Sequence, residues 1–306
     1  MTTDLSRRAL LSACVAAALT SKGVARAQNN RAASTYRGRS EDEWLTLMAT
    51  RPAQRMVSRH SSTAVVYCLD LGDGIFTAFK AERPRQETWW RHEIVSYRLA
   101  KLIGIDSRVP PVVGRRVPAS IFGRYTASDR LVVQDDHQIR GSAAVWVPGL
   151  RGEQLHTPER RREWTGWMQP GATIPAASME RARQISEVLI FDWLMANFDR
   201  WNCCNIPVDE RSELVVRDND GGWSLPVISH INAPDNVRRL TRRIWERLHT
   251  ATGAALRTEV ERDPLRTENL LGRAEYEAYD RRRGRLIAHV DALIRRWGEA
   301  AVLAWP

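Results

Sequence analysis

The hydrophobic pattern of this chain changes once, close to Pro148, and that change limits the fold more than any composition figure. Before it, apolar residues come in strand-length runs at 64–69, 75–80, 112–117 and 143–147. Asp70-Leu71-Gly72-Asp73-Gly74 separates the first two, and its Asp-Gly pair is a hairpin signal. Two helices are expected among these strands. Ser40 with Glu43 forms a capping box ahead of Trp44, Leu47 and Met48, and residues 87–102 carry Ile94, Leu99 and Leu102 with Gly104 placed to end the helix. After Pro148 the pattern becomes helical. Ser178 caps a helix to about Phe198, Pro234 opens one bearing Val237, Leu240, Ile244 and Leu248 that Gly253 ends, and a last helix covers about 275–297. Leu214-Val215-Val216 is the one strand-like piece in this half. A β-rich segment followed by a helical one implies an α+β fold with two lobes, an N-lobe at about 40–147 and a C-lobe at about 148–306.

The first 27 residues are read as a leader outside that fold. Arg7-Arg8 precedes a short apolar run from Ala9 to Leu19, and Ala25-Arg26-Ala27 fits a cleavage site, the pattern of a twin-arginine (Tat) signal peptide. The expected location is therefore outside the cytoplasm, periplasmic or secreted; a lipoprotein anchored at Cys14 is the less favoured form of the same expectation. Residues 28–39 are polar and read as a linker. The net charge of +10 falls to +7 without the leader, still an anion-preferring balance. Cys68, Cys203 and Cys204 then remain, so one bridge leaves one thiol over and the sequence leaves its partners open. No run approaches the length of a membrane-spanning helix.

Four charged residues stand at the ends of apolar elements or on a neighbouring helix, where a side chain is aimed at a cleft. Lys80 ends a strand, Glu93 lies on the next helix, Asp199 follows the long helix in Ala196-Asn197-Phe198-Asp199-Arg200-Trp201, and Asp218 begins Asp218-Asn219-Asp220-Gly221-Gly222. A short hairpin between Asp199 and Asp218 would bring the two carboxylates together. Lys, Glu, Asp and Asp in that order suit phosphoryl transfer from a nucleotide. The reaction needs a cation on the phosphates, a carboxylate to steady it, an Asp at the attacking hydroxyl, and an Asp with an Asn on a divalent metal.

The chain also resembles the four-jointed and Golgi casein kinase-like secretory kinases. The resemblance is carried by Arg91-His92-Glu93-Ile94, by Leu99–Gly104 with Val109-Pro110-Pro111-Val112-Val113-Gly114, and most closely by Ile190–Arg200 with Asp218-Asn219; it covers about 60–300. It implies a divergent protein-kinase-like fold with ATP between the lobes, Mg²⁺ or Mn²⁺ as metal, and a hydroxyl-bearing protein or glycan as acceptor. It also implies that Lys80 binds phosphates and pairs with Glu93, that Asp199 is the catalytic Asp, and that Asp218 holds metal with Asn205 or Asn202. Two features depart from the pattern: the usual metal-binding Asn position, five after Asp199, is Cys204, and Gly72-Asp73-Gly74 is no glycine-rich phosphate loop. A catalytically silent kinase-fold binding module and a lipid or small-molecule kinase are the alternatives.

The remaining basic residues have two readings. Arg238, Arg239, Arg242, Arg243 and Arg247 recur at helical spacing, and Arg281, Arg282, Arg283 and Arg285 form a second cluster. They are either a solvated helix face or a dock for an acidic partner; nucleic acid is disfavoured because no zinc-finger or RNP pattern accompanies them. Twelve tryptophans are mostly core candidates, with Trp201 and Trp223 expected beside the two Asp motifs to line the pocket.

Overall fold

The computed structural model describes residues 35–61, 64–84, 86, 88–197, 199–201, 206–223 and 234–305. The leader, Cys14, Asn202, Cys203, Cys204 and Asn205 lie outside the described residues. The chain divides into two units, Met1–Glu41 and Asp42–Pro306. In the first, at the end of the expected linker and reaching Ser40 beyond it, strands β1 (Thr35–Tyr36) and β2 (Arg39–Ser40) pair around Arg37-Gly38, whose φ values of 49° and 81° suit a two-residue hairpin turn.

The second unit has a sheet lobe and a helical lobe, an α+β arrangement. Helix α1 (Glu41–Thr50) buries Trp44 and Met48. The sheet is antiparallel with strand order β3-β4-β5-β7-β6, made of β3 (Arg55–Ser61), β4 (Val65–Asp70), β5 (Phe76–Ala81), β6 (Val112–Pro118) and β7 (Gln138–Val145). The sequence reading has no counterpart to β3. The reason is its edge position: with only one neighbour, Arg-Met-Val-Ser-Arg-His-Ser needs no run of apolar residues to form a strand. The register Ala78↔Ala144, Lys80↔Ser142 and Val112↔Ala144 puts small and apolar side chains with Lys80 on one face. Tyr67 and Phe79 bury the other face against Phe122, with ring centroids 4.9 and 5.7 Å away.

Helix α2 (Trp89–Ile103) packs against β6 and β7 and buries Trp90, Ile94, Tyr97 and Ala100. Gly104, at φ 83°, ends it in the left-handed region and donates its N–H to the Ala100 carbonyl at 2.9 Å. The helical lobe begins with a helix the sequence reading lacks, α3 (Pro158–Trp167), although Thr157 as N-cap and Pro158 at the first position are its signals. Helix α4 (Met179–Met195) is buried over most of its surface and stops three residues before the expected Phe198, because Ala196 turns left-handed at φ 58°.

The rest of the lobe corrects two expectations. Leu214–Val216 joins no sheet; beyond a single bridge from Val208 to Leu214, its N–H groups donate to the Gln184 side chain at 3.0 Å and to the Pro207 and Arg108 carbonyls at 2.9 Å each. Pro234 opens only a 3-10 turn, and helix α5 (Arg242–Thr250) starts later, at a Thr241 cap whose hydroxyl accepts the Ile244 N–H at 3.1 Å. Gly253 therefore begins helix α6 (Gly253–Val260) rather than ending α5, and α7 (Arg273–Trp297) follows. No helix among the described residues is long and apolar enough to cross a membrane.

Candidate functional site

Lys80 sits on the inner face of β5, where an unpaired ammonium would be costly to bury. The fold surrounds it with three carboxylates. Its Nζ lies 2.6 Å from Glu93 Oε1 on α2, 2.9 Å from Asp218 Oδ1 and 2.8 Å from Asp220 Oδ2. Burial pulls the ammonium's pKa down, but the charges of Asp218, Asp220 and Glu93 outweigh it and hold Lys80 well above its usual value. Burial likewise pushes Asp218 up, yet the charges of Lys80 and Arg217 prevail and keep its carboxyl at about 2. Burial pushes Glu93 up against the pull of Lys80. Three acids around one ammonium leave the cluster short of positive charge.

Asp199 reaches the same cavity by a different route. The left-handed turn at Ala196 ends α4, and the buried Asn197 accepts the Asp199 N–H on its Oδ1 at 2.9 Å. A Cβ placed on Gly221 would lie 3.1 Å from Asp199 Cβ and from Asn197 Oδ1, so the loop after α4 and the loop after Asp218 pack with no room between them. Gly222 is as constrained, since its Cβ would stand 2.5 Å from Met195 Cε. The hairpin-like path from Pro207 to Val215 spans the two acids, as the spacing predicts.

Lys80, Glu93, Asp199, Asp218 and Asp220 all line one cavity of about 1390 Å³. Its roof is the sheet face bearing Val66, Ala78, Val112 and Ala144, and Val215 and Val216 contribute from the helical lobe. Trp146-Val147-Pro148-Gly149, the chain leaving β7, closes one side. An apolar slot ending in a charged cluster has room and chemistry for a flat heterocycle joined to an anion.

The donor set also fits a hard divalent cation. Asp218 is held charged, Asp220 stands two residues on, and both bear oxygen ligands. Among the described residues no group of three His, Cys, Asp or Glu side chains stands at metal-ligand spacing, so further ligands would come from phosphate oxygens and water, the usual way Mg²⁺ is held. Asn219 Oδ1 accepts from the buried Arg200, which ties that side chain to the helical lobe. The sequence reading gives Asp220 no role; its place two residues from Asp218, in a chain short of the usual Asn, is the signal that would have singled it out.

Other expectations change. Trp201 stacks near Trp164 with centroids 5.0 Å apart, and Trp223 donates its Nε1–H to Ser96 Oγ at 3.0 Å. Neither lines the cavity; Trp89 and Trp146 do. Gly72-Asp73-Gly74 is outside the cavity, tied to Arg51. Arg238 and Arg239 are not on α5, and several of the arginines read as a solvated face or an acidic dock bond within the fold. Arg239 donates to the Trp167 and Ala172 carbonyls at 3.2 and 3.1 Å, Arg247 to Lys101 at 3.1 Å, Arg282 to Leu194 at 2.8 Å, and Arg283 to Leu248 at 3.0 Å. Arg242 pairs with Glu299 at 2.8 Å.

Below the site, Asp192 on α4 is fully buried and pairs with Arg200 at 3.1 Å. Burial outweighs the Arg200 charge and pushes the Asp192 carboxyl up to about 6 from 3.8. A raised folded-state pKa adds stability that is complete below the unfolded value and lost as pH rises through the folded one. Wild type is therefore expected to gain stability over Asp192→Asn between pH 7 and pH 4, by at most about 1.4 kcal/mol per pH unit. Denaturant titrations at a series of pH values check this, and parallel profiles for the two proteins contradict it.

No family model matches the chain. It is 30% identical over 118 residues to Four-jointed box protein 1 of Homo sapiens and, over the same length, to that of Mus musculus. The match spans 35% of this chain but only 26% of the human protein. In fold the chain resembles the Golgi casein kinase, with TM-score 0.65, 17% identity, 86% of this chain and 79% of that one. The Golgi casein kinase with Mn/ADP bound gives 0.63 at 16%, over 86% and 78%. Hydra Fam20 with sugar gives 0.59 at 16%, over 84% and 90%. The resemblance to the four-jointed proteins holds in sequence over that third of the chain, and the likeness to the Golgi casein kinase is one of fold, the two-lobed, divergent protein-kinase-like one.

Proposed function

We propose that this chain is an exported phosphotransferase that moves the γ-phosphoryl group of ATP to a hydroxyl on a protein Ser/Thr or a sugar. The observation that carries the reading is the convergence of Lys80, Glu93, Asp199, Asp218 and Asp220 on one cavity of a kinase-like fold. Lys80, steadied by Glu93, holds phosphate oxygens. Asp218, with Asp220 beside it, holds Mn²⁺ or Mg²⁺, which when bound neutralises the phosphates. Asp199 orients the acceptor hydroxyl and takes its proton as that oxygen bonds to the γ-phosphorus and the bond to ADP breaks. The apolar slot formed by Val66, Ala78, Val112 and Ala144 takes the base.

Support for Mn²⁺ with nucleotide comes from the Golgi casein kinase, described with Mn/ADP bound, and support for a sugar hydroxyl from hydra Fam20, described with sugar. Export is supported by the twin arginine and cleavage pattern of residues 1–27. The test is thermal unfolding of the purified protein with ATP alone, Mn²⁺ alone and both, alongside fractionation of expressing cells. Co-dependent stabilisation by ATP and Mn²⁺ and recovery outside the cytoplasm are expected. Unfolding that neither ligand shifts overturns the nucleotide assignment, and retention in the cytoplasm overturns the export assignment.

A further inference from the structure

Arg200 follows Asp199 directly, yet its side chain is fully buried, turned away from the cavity into the body of the helical lobe. A guanidinium is always charged, so such burial persists only where its donors are matched by acceptors. Three are. Nε donates to Asp192 Oδ1 at 3.1 Å, Nη1 to the Arg217 carbonyl, and Nη2 to Asn219 Oδ1. Asp192 belongs to the buried helix α4, whereas Arg217 and Asn219 are the residues on either side of Asp218.

Asp218 itself stands at φ 54°, a left-handed conformation that a non-glycine residue keeps only when its surroundings enforce it. The guanidinium grips the peptide before Asp218 and the side chain after it, and anchors both to α4. The same Asn219 donates its backbone N–H to Glu93 Oε1 at 2.9 Å, and Glu93 holds Lys80. One run of bonds therefore leads from the end of α4 through Arg200 and Asn219 to the cation on β5.

We propose that Arg200, backed by Asp192, is a positioning residue that fixes the carboxylate of Asp218 for the metal–nucleotide complex. This rests on the phosphotransferase reading for its ligand, but not for its structural half. The planar fork of three matched donors is what lysine lacks, so Arg200→Lys keeps the charge opposite Asp192 and loses the grip on residues 217 and 219.

Two readouts separate positioning from general support of the fold. Amide hydrogen exchange is measured across 216–223, where the Val216, Asn219, Gly222 and Trp223 N–H groups are bonded, and across α4 as reference. Arg200→Lys is expected to speed exchange by about tenfold or more in 216–223 and to leave α4 at the wild-type rate. In turnover, the KM for Mn²⁺–ATP is expected to rise by about tenfold or more while kcat at saturating Mn²⁺ falls less than about threefold.

Should Arg200→Lys fail to fold, the charge-neutral pair Asp192→Asn with Arg200→Gln, and Asn219→Ala alone, carry the same two measurements. Exchange in 216–223 equal to wild type, or raised equally through α4, overturns the proposal. An unchanged KM beside faster exchange overturns the link to the metal. Wild type that shows no affinity for Mn²⁺–ATP fails the phosphotransferase reading, while the exchange result still decides whether Arg200 sets the loop.

Discussion

Asp199→Asn is expected to cut phosphoryl transfer by about 10²–10⁴-fold, the range lost when a positioned general base is removed. The substitution keeps size and hydrogen-bonding reach, and it leaves Lys80, Glu93, Asp218 and Asp220 in place to bind metal and nucleotide. The affinity for Mn²⁺–ATP should therefore stay within about threefold of wild type, so the loss falls on kcat rather than KM. The thermal midpoint should hardly move, because Asp199 is only partly buried and the substitution keeps both its size and the backbone N–H bond to Asn197. An equal loss in kcat and in nucleotide affinity would assign Asp199 to nucleotide binding and take from it the role of base.

Asp218→Asn should fail in the opposite way. Its carboxylate is held at about 2 and so is charged at any working pH, and it is 2.9 Å from Lys80 Nζ. Removing that charge takes away a hard anionic ligand for the metal while Glu93 and Asp220 still hold Lys80. Metal-dependent nucleotide binding is expected to weaken by about a hundredfold or more, a loss of roughly 3 kcal/mol, with turnover falling beside it. Calorimetric titration of Mn²⁺–ATP into both proteins reads this directly. Unaltered Mn²⁺–ATP affinity would mean that the metal is held elsewhere.

Particular residues explain how far the sequence speaks for the structure. Lys80 and Glu93 were legible because each sits on an element with a clear period, a strand after an Asp-Gly turn and an apolar helix, and the fold joins them at 2.6 Å. Asp199 and Asp218 were legible because each follows an apolar run that ends at the cavity. The edge strand Arg55–Ser61 escaped because one-sided pairing leaves no apolar signature. Leu214–Val216 reads as a strand, yet beyond its local turn back to Pro207 and Val208 its partners are the Gln184 side chain and the Arg108 carbonyl, which no local pattern encodes.

The arginines show the same limit. Spacing alone made Arg238 and Arg239 part of a helix face, but the helix starts at Arg242, and Arg239 serves the Trp167 and Ala172 carbonyls instead. Arg239, Arg247, Arg282 and Arg283 thus each satisfy main-chain oxygens of the fold. Arg200 is the extreme case. Its acceptors among the described residues are 8, 17 and 19 positions away, and only the folded chain brings Asp192, Arg217 and Asn219 to one guanidinium.

The most direct test of the phosphotransferase account is transfer of labelled γ-phosphate from ATP by the purified full chain, with Mn²⁺ and with Mg²⁺, to protein and glycan acceptors. Metal-dependent transfer by wild type, lost in Asp199→Asn and in Asp218→Asn, is the predicted result. Transfer that continues unchanged in both variants, or a wild-type protein that neither binds nor turns over ATP with either metal, contradicts the account.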